Sequence, residues 1–583
     1  MPTEPRSPND SPQSTPFSRY RLRHHAKRFG LSVDSARVAW LTMMLVLPVL
    51  GSSHGAEPLP SSPAKNERPN ILFIFSDDHA LQAIGAYGGR YRDLDPTPHI
   101  DRLARQGMIF RSSFCTNSIC GPSRAVILTG KHSHLNGFTS NGNRFNGDQQ
   151  TFPKLLQQGG YTTALFGKWH LEDTPQGFDA WRILPGQGEY YNPVMISPKG
   201  KERIPGYCSD LVTDLAIDWL DNERDRKKPF MLMVQHKAPH RNWMPPERYL
   251  NLYDNVTFPE PETLFDRYTD NASPARNQEM EIDRHMDLVS DLFADLAPAP
   301  RGPAKPATST PLHPHFRNLT PAQIEAWHRA LDAKNEAFAQ AQLRGEQLVR
   351  WKYQRYMQHY MACVKSVDDS VGTLIEYLEK TGLRENTVVI YSSDQGFYLG
   401  DHGWYDKRWM YEESLAMPLI VHWPGVTPPE SESTQMVQNL DYAETFLDLA
   451  GIAIPADMQG VSLVPLLRGE KPRQWRDAIY YHYYEFPGVH SVARHYGIRT
   501  ERYKLISFYQ TGEWEFYDLA EDPDERTSAY HEPRYEATIA DLKVRLETLR
   551  REYQDDTVAP PESAAEESSP ALRGKTRALP GKN

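Results

Sequence analysis

The chain has 583 residues, with 65 Lys and Arg against 75 Asp and Glu and a formal charge of −10. Hydrophobic residues make up 39% and aromatic residues 11%, which is too much apolar surface for a disordered chain and enough for a large core. The acidic balance argues against a nucleic-acid-binding protein. Four cysteines are too few for a disulfide scaffold, and no paired-cysteine motif indicates structural zinc. The composition therefore indicates a large soluble enzyme.

Residues 1–56 have the pattern of a signal peptide with a long basic n-region. A basic segment precedes an apolar run at 38–50, and small residues follow it. The run is shorter than the ~20 residues that a transmembrane helix needs. An uncleaved membrane anchor is the alternative. We expect a protein exported to the periplasm or the extracellular space, with no stable membrane span after processing.

Short apolar runs alternate with helical patterns along the body of the chain. The runs lie at residues 71–75, 163–166, 230–234, 387–391 and 419–422. They are nearly continuous, which predicts strands buried on both faces of a mostly parallel sheet. Apolar residues at steps of three and four between 353 and 378 predict one long helix. The alternation predicts an α/β fold, with a large mostly parallel sheet flanked by helices.

We place the main α/β domain at residues 67–470 and a smaller α+β subdomain at 475–552. In the subdomain, short aromatic stretches broken by turn residues predict an antiparallel sheet, and a helix around 534–551 closes it. Residues 554–583 leave almost nothing to bury and predict a disordered tail. A Pro-rich stretch at 296–315 predicts an exposed excursion within the main domain.

Carboxylates follow two of the predicted strands. Asp77 and Asp78 come directly after the first strand, and Asp394 and Gln395 come shortly after the fourth. Open α/β sheets place their sites at the carboxyl ends of their strands. A lone Asp pair is more often a solvated turn, but three carboxylates with an amide form an oxygen set suited to Ca²⁺ or Mg²⁺. The sequence therefore predicts a metal site at this edge of the sheet.

A cysteine motif at residues 120–130 reads CGPSRAVILTG and predicts the start of a helix. Pro122 suits the first turn, and Arg124 follows Cys120 by four residues, so both side chains can share one helical face. A helix N-terminus with a nearby guanidinium can bind an oxyanion. The alternatives are a buried structural thiol and a disulfide between Cys115 and Cys120 in an oxidising compartment.

Taken with other motifs in the same order, this cysteine motif resembles that of the type I sulfatases of the alkaline phosphatase superfamily. The shared elements are residues 71–78, 97–101, 120–130, 167–170, 238–240 and 394–396, and Lys407. The resemblance covers roughly residues 67–520 and implies an alkaline-phosphatase-like domain with a C-terminal α+β subdomain. It also implies that a converting enzyme oxidises Cys120 to formylglycine.

The resemblance further implies the roles of individual residues. The implied metal ligands, for Ca²⁺ with Mg²⁺ as the alternative, are Asp77, Asp78, Asp394, Gln395 and the modified Cys120. The implied catalytic residues are Cys120, Arg124, Lys168, His170, His240 and Lys407. Hydrated formylglycine would attack sulfur, and Arg124 would orient it. Lys168, His240 and Lys407 would hold sulfate oxygens, with one of the last two protonating the leaving alcohol, and His170 would take a proton to release sulfate.

The chemistry of sulfate ester cleavage is consistent with such a set of residues. Negative charge moves onto the bridging and equatorial oxygens, so cations and a metal ion stabilise the transition state. Three more residues lie near the motifs and are candidates for substrate binding: His236, Lys237 and His402. A fourth candidate, His495, begins a stretch at 495–497 that resembles a substrate-side element of sulfatases related to N-acetylglucosamine-6-sulfatases. Loop residues beside a site are often merely solvated, which is the alternative for His236 and Lys237.

Three further stretches of the sequence carry a more specific resemblance, which concerns the substrate. Residues 117–137, 184–193 and 401–414 are similar to bacterial exo-acting sulfatases related to N-acetylglucosamine-6-sulfatases. We therefore expect a sulfated carbohydrate substrate, 6-O-sulfated N-acetylglucosamine, within glycosaminoglycan degradation. The alternatives are sulfated iduronate, galactose or fucose, or a phosphonate or phosphate ester. A catalytically inactive sulfoglycan-binding relative is the non-enzymatic alternative, against which the presence of every implied catalytic residue argues.

Overall fold

The computed structural model describes residues 68–294 and 313–557. The predicted signal peptide lies outside these residues, as do nearly all of the predicted tail and most of the predicted excursion.

The strands are β1 (Asn70–Ser76), β2 (Met108–Phe110), β3 (Ser113–Phe114), β4 (Thr162–Lys168), β5 (Ala180–Leu184), β6 (Val194–Ser197), β7 (Gly200–Arg203), β8 (Phe230–Gln235), β9 (Thr387–Ser393), β10 (Tyr398–Leu399), β11 (Tyr405–Asp406), β12 (Leu419–His422), β13 (Ser431–Ser433), β14 (Val437–Gln438), β15 (Ala478–Tyr483), β16 (His495–Thr500), β17 (Tyr503–Phe508) and β18 (Glu513–Asp518). The α-helices are α1 (Pro98–Gln106), α2 (Cys120–Thr129), α3 (Ser133–Asn136), α4 (Phe152–Gln158), α5 (Cys208–Asp218), α6 (Ser273–Asn277), α7 (Pro321–Ala341), α8 (Glu346–Thr381), α9 (Glu412–Leu415), α10 (Tyr442–Leu449), α11 (Val464–Leu467) and α12 (Glu536–Glu552).

Ten strands form the main sheet in the order β13-β2-β12-β9-β1-β8-β4-β5-β6-β7. The five central strands, from β9 to β5, run parallel to one another. Strand β1 lies between β8 and β9, and Phe73 pairs with Met233 on one side and with Ile390 on the other. Strands β1, β4, β8 and β9 are buried along their whole lengths. The prediction of a mostly parallel, doubly buried sheet is confirmed.

Helices cover both faces of this sheet. Successive side chains of each strand point to opposite faces, and because the central strands are apolar on both faces, both need to be covered. Leu72 of β1 belongs to a core cluster that includes Val364 of the long helix α8. Phe73 belongs to a second cluster that includes Ala125 of α2 and Phe446 of α10. Full burial of a side chain as large as Leu72 or Phe73 contributes about 1.5–3 kcal/mol of transfer free energy. The predicted helix at 353–378 lies inside α8 and is confirmed.

The C-terminal part forms a second, antiparallel sheet in the order β15-β16-β17-β18. One face of it packs against α12, where Ile498 and Phe516 meet Leu542. The other face contributes residues such as Ile506 to the core cluster that contains α2 and α10. The predicted small sheet with a closing helix is therefore present, and it shares apolar core with the main sheet.

The end of the predicted excursion is better packed than its composition suggests. His313 is buried, and its ring centroid lies 4.7 Å from that of Phe293. Phe316, just beyond it, is buried as well. Among the residues that the structure describes, no helix combines the length and the apolar character needed to cross a membrane.

Candidate active site

Three carboxylates meet at the carboxyl edge of the main sheet. Asp77 and Asp78 follow β1, and Asp394 follows β9, its parallel neighbour. One oxygen from each lies within 4.8 Å of the other two, and all three residues are fully buried. The backbone N–H of Asp78 donates to Oδ1 of Asp394 at 3.1 Å. Like charges this close are unfavourable unless cations share the site.

Each carboxylate pairs with a buried cation, and Arg124 also lies 3.8 Å from Asp77. The pairs are Lys168 with Asp77, Lys407 Nζ with Asp78 Oδ2 at 2.7 Å, and Arg124 Nη2 with Asp394 Oδ2 at 3.0 Å. The three positive and three negative charges therefore balance formally. Removing a single partner would leave an unpaired buried charge, which is far more costly than removing both.

The surroundings shift the pKa values of the carboxyl groups in different directions. Burial, together with the charge of Asp77, raises the pKa of Asp394 to about 8. Burial also raises the pKa of Asp78. Burial opposes ionisation of Asp77 too, but Lys168 and other nearby cations outweigh it and hold the pKa of Asp77 well below its usual value. All three carboxyl groups can therefore be ionised together only if a further positive charge, in addition to Lys168, Lys407 and Arg124, lies beside them.

The donor atoms of the cluster fit a divalent cation. Oδ1 of Asp77 and Oε1 of Gln395 are buried and have no hydrogen-bond partner among the described residues. The amide nitrogen of Gln395 donates to Oδ1 of Asp78 at 2.5 Å, which leaves its carbonyl oxygen available. Carboxylate and amide oxygens are the ligands that Ca²⁺ and Mg²⁺ take in proteins. Asp77, Asp78, Asp394 and Gln395 could therefore hold such an ion.

Helix α2 presents Cys120 to this cluster from its first turn. The Cys120 side chain is buried, and its Sγ lies within 4.8 Å of ligand atoms of Asp77 and His240. The N–H of Gly121 donates to Oδ1 of Asn141 at 3.0 Å, which satisfies one free donor of the helix start. Burial, with the charge of Asp77, raises the pKa of the Cys120 thiol to about 12. An unmodified thiol here is therefore protonated and a weak nucleophile.

The described cysteines are all free thiols. Cys115 and Cys120 are not joined, so the alternative of a disulfide between them is absent from this structure. The thiol of Cys115 is buried beside the carbonyl oxygen of Ser414, at 3.7 Å.

Gln187, which the sequence analysis did not single out, bridges two predicted catalytic residues. Nζ of Lys168 donates to its Oε1 at 2.5 Å, and its Nε2 lies 3.3 Å from Nε2 of His170. Gln187 lies in the loop after β5, and this loop carries no strand or helix pattern that would reveal it. One amide thus holds both side chains at the end of β4.

His240 faces the cluster from the loop after β8. Its Nε2 lies 3.7 Å from Oδ2 of Asp78, and its Nδ1 contacts the carbonyl oxygen of Arg241. Burial holds the pKa of His240 well below its usual value, although Asp77 acts in the opposite direction. Burial, reinforced by Lys168, does the same to the pKa of His170.

A cavity of about 970 Å³ opens over the cluster. Four of the predicted site residues line it: Cys120, Lys237, His240 and Lys407. Gln187 also lines it and connects it to Lys168 and His170. A cavity of this volume is large enough for a sugar or another small ligand.

Three histidines predicted to bind substrate are not among the described lining residues. His236 is buried and lies 3.0 Å from the hydroxyl of Ser370. His402 is buried against Asp266, with 3.0 Å between its Nδ1 and Oδ2 of Asp266. His495 is also buried, with aromatic side chains around its ring. The structure therefore does not bring these three side chains together with the cavity.

Comparisons with known proteins agree with this geometry. The family model described as Sulfatase matches residues 69–452, and the one described as N-sulphoglucosamine sulphohydrolase, C-terminal matches residues 400–552. An N-acetylglucosamine-6-O-sulfatase of Bacteroides thetaiotaomicron is 46% identical over 522 residues, covering 88% of this chain and 91% of the relative. The N-acetylglucosamine-6-sulfatase of Homo sapiens is 28% identical and covers 75% of this chain and 71% of the relative.

A solved structure gives the same result for the fold. It contains its substrate, D-glucosamine-2-N,6-O-disulfate, and matches with a TM-score of 0.80 at 44% identity, covering 85% of this chain and 100% of that one. The sheet order and the buried acidic cluster define an alkaline-phosphatase-like hydrolase. The chain belongs to the sulfatase family and is a sulfuric ester hydrolase.

Proposed function

We propose that this protein is an exported, formylglycine-dependent sulfatase that removes the 6-O-sulfate from N-acetylglucosamine at the ends of sulfated carbohydrate chains. The observation that carries the proposal is the meeting of Cys120 with three carboxylates and three cations at one buried sheet edge. The choice of sugar is supported by the relative that is 46% identical over 88% of this chain. Export is supported by the signal-like pattern of residues 1–56.

Two groups complete the site in this proposal. Ca²⁺, held by Asp77, Asp78, Asp394 and Gln395, would polarise the sulfate oxygens, and Mg²⁺ is the alternative ion. Formylglycine, made from Cys120 by a converting enzyme, would supply a hydroxyl nucleophile when hydrated. Since the side-chain charges of the cluster balance, a divalent cation would give the floor of the cavity the positive charge that a sulfate ester requires.

The cations of the site bind and orient the sulfate group. Lys407 lines the cavity, and Lys168 reaches it beside Gln187, so both can donate to non-bridging oxygens. Arg124, anchored on Asp394, holds the start of α2 and therefore residue 120 in position. Charge-assisted hydrogen bonds of this kind strengthen as negative charge develops in the transition state.

The histidines move protons at defined atoms. Because Nδ1 of His240 contacts the carbonyl of Arg241, the proton that His240 exchanges with substrate is at Nε2, on the side of Asp78. Either His240 or Lys407 protonates the leaving alcohol. His170, whose Nε2 faces the amide of Gln187, accepts a proton from residue 120 when sulfate is released. General acid and base groups of this type contribute about a hundredfold or more to the rate.

Measurement of sulfate release tests the proposal. The full chain is co-expressed with a formylglycine-generating enzyme and assayed against N-acetylglucosamine-6-sulfate, against sulfated iduronate, galactose and fucose, and against an aryl phosphonate. We expect the highest kcat/KM for N-acetylglucosamine-6-sulfate and no turnover by Cys120→Ala. A higher kcat/KM for another of these substrates would replace the proposed sugar or reaction. Binding without turnover, in protein with verified cysteine conversion, would contradict the enzymatic assignment.

A further inference from the structure

The first strand of the C-terminal sheet braces the segment that leads into Cys120. The N–H of His482, in β15, donates to the carbonyl oxygen of Thr116 at 3.0 Å. The hydroxyl of Tyr481, its neighbour in the strand, accepts the N–H of Ser118 at 3.3 Å. Because Thr116 and Ser118 come shortly before α2, β15 fixes the chain on the N-terminal side of residue 120.

Asn141 holds the first turn of α2 from within the cavity. Its Oδ1 accepts the N–H of Gly121 at 3.0 Å, and the residue lines the cavity together with Cys120. A Cβ atom at position 121 would lie 2.9 Å from this oxygen and 3.1 Å from the carbonyl oxygen of His170, so the packing leaves room only for glycine. Since Gly121 directly follows Cys120, a displaced Asn141 side chain would displace residue 120 as well.

Glu485, in the loop after β15, fixes the backbone of Asn141. Its Oε2 accepts the N–H of Asn141 at 3.0 Å. The loop turns back at Gly488, where φ is +52° and a Cβ atom would come within 2.8 Å of Cγ of Glu485. The carboxylate is therefore confined between this turn and Asn141, and a chain of two hydrogen bonds connects the C-terminal sheet to Gly121.

The charge of Glu485 does not favour the binding of a sulfate ester. The side chain is partly exposed, lines the cavity, and forms no ion pair with a cation among the described residues. A carboxylate on the wall of a cavity that receives an anionic substrate repels that substrate. The useful property of Glu485 is therefore its acceptor oxygen, which holds Asn141.

We propose that Glu485 is a positioning residue for residue 120 and acts through Asn141 on the N–H of Gly121. The proposal rests on the proposed function and adds to it a contribution of the C-terminal sheet to the geometry of the reaction. Reacting atoms need to lie about 3–3.5 Å apart and in line, so a displaced start of α2 lowers kcat more than it weakens substrate binding.

The test separates the acceptor oxygen from the charge, with N-acetylglucosamine-6-sulfate as substrate. Glu485→Leu removes the acceptor, and we expect kcat to fall about tenfold because residue 120 is misplaced. Glu485→Gln keeps an acceptor oxygen at the same reach without the charge. Its kcat should stay within about threefold of wild type, and its KM should fall because the repulsion of the sulfate is gone. Glu485→Asp keeps the charge but shortens the reach, so it should lower kcat as Glu485→Leu does.

A double-variant cycle tests the route through Asn141. In Asn141→Ala the contact with Gly121 is already lost, so adding Glu485→Leu should lower kcat by less than about twofold. The control is Glu501→Leu, an exposed glutamate between β16 and β17 that does not line the cavity. Formylglycine content and thermal unfolding are measured in every sample, and Glu485→Asp keeps the test valid if Glu485→Leu fails to fold.

Three results would overturn the positioning role of Glu485. They are an unchanged kcat in Glu485→Leu and Glu485→Asp, a loss of kcat in Glu485→Gln as large as that in Glu485→Leu, and independent effects of Glu485→Leu and Asn141→Ala that multiply in the double variant. Absence of sulfate release by wild type with verified formylglycine would instead overturn the proposed function, and the positioning role with it.

Discussion

The guanidinium of Arg124 lies 3.0 Å from Oδ2 of Asp394 and thereby ties helix α2 to the carboxyl end of β9. Its Nη1 also donates to the carbonyl oxygen of Lys168, the last residue of β4, at 2.7 Å. One side chain thus fixes the helix that begins at Cys120 against two strands of the sheet. The position of Cys120 therefore depends on this buried contact.

Replacing Arg124 with a shorter cationic side chain should reduce catalysis without unfolding the protein. Arg124→Lys keeps the charge but loses the planar fork that reaches Asp394 and Lys168 together. We expect kcat for N-acetylglucosamine-6-sulfate to fall about a hundredfold, because a small misplacement of residue 120 has an effect of that size. The control is Arg144→Lys, an exposed residue paired with Asp173. The formylglycine content is measured in each sample, and a kcat within threefold of wild type at equal content would contradict the role of Arg124.

Gln187 should act as a positioning residue for Lys168 and His170. Gln187→Leu keeps the approximate size of the side chain but removes both polar contacts. We expect kcat to fall about tenfold to a hundredfold, since small misplacements of catalytic groups have effects of that size. The pH profile of kcat should shift as well, because the contact with Nε2 of His170 is lost. A change in KM alone, or an effect matched by the distant control Gln176→Leu, would show that the amide does not position these groups.

Removal of the proposed Ca²⁺ should abolish activity and reduce stability. Three carboxylates and the free carbonyl oxygen of Gln395 then lose the cation that fits them. We expect chelated protein to lose turnover, to unfold at a lower temperature, and to recover both properties with Ca²⁺, because binding to the native state raises its stability. Elemental analysis confirms that the ion is gone. Full activity in protein shown to be metal-free would rule out the metal site.

Glu444 should make stability depend on pH. It is fully buried, its Oε1 accepts the N–H of Gly460 at 2.6 Å, and its Oε2 has no partner among the described residues. Burial, with the charge of Asp441, raises the pKa of Glu444 to about 8 in the folded protein. A pKa raised by folding gives stability that is complete below the unfolded value near 4.5 and is lost as the pH rises towards 8.

The matching experiment compares Glu444→Gln with wild type by denaturant unfolding at pH 5 and pH 8. Wild type should lose a few kcal/mol more than the variant between these values, since one pKa unit corresponds to about 1.4 kcal/mol. The exposed Glu470→Gln serves as control. The same pH dependence in Glu444→Gln as in wild type would show that this carboxyl group is ionised in both states.

Hydrophobic patterning was sufficient to predict the centre of the fold. The apolar runs at 71–75 and 387–391 lie within β1 and β9, because strands buried on both faces carry mostly apolar side chains. The position of sites at the carboxyl ends of parallel strands placed Asp77 and Asp394 at one edge of the sheet. The order of the strands in the sheet could not be predicted from the hydrophobic pattern, because the pairing of β1 with both β8 and β9 depends on contacts between segments far apart in the chain.

The parts of the site that escaped prediction are contributed by loops. Gln187 lies in a loop whose conformation depends on the packing of its neighbours, so no periodicity reveals its contact with Lys168. His402 was expected to contact substrate because it lies between two site motifs, but its ring is buried against Asp266. Closeness in sequence to a motif predicted closeness to the site for residues that directly follow a strand, because the strand fixes the direction of the chain. It was a poor predictor within long loops.

The chemical state of residue 120 decides whether the protein uses a formylglycine nucleophile. Mass spectrometry of the tryptic peptide 112–124, from protein isolated from its native host, reports on both cysteines in one spectrum. We predict that Cys120 resists thiol alkylation and reacts as an aldehyde, whereas Cys115 is alkylated normally. Two ordinary thiols in this peptide would rule out formylglycine-dependent catalysis, since the buried thiol of Cys120 has a pKa raised to about 12 and is not a nucleophile by itself.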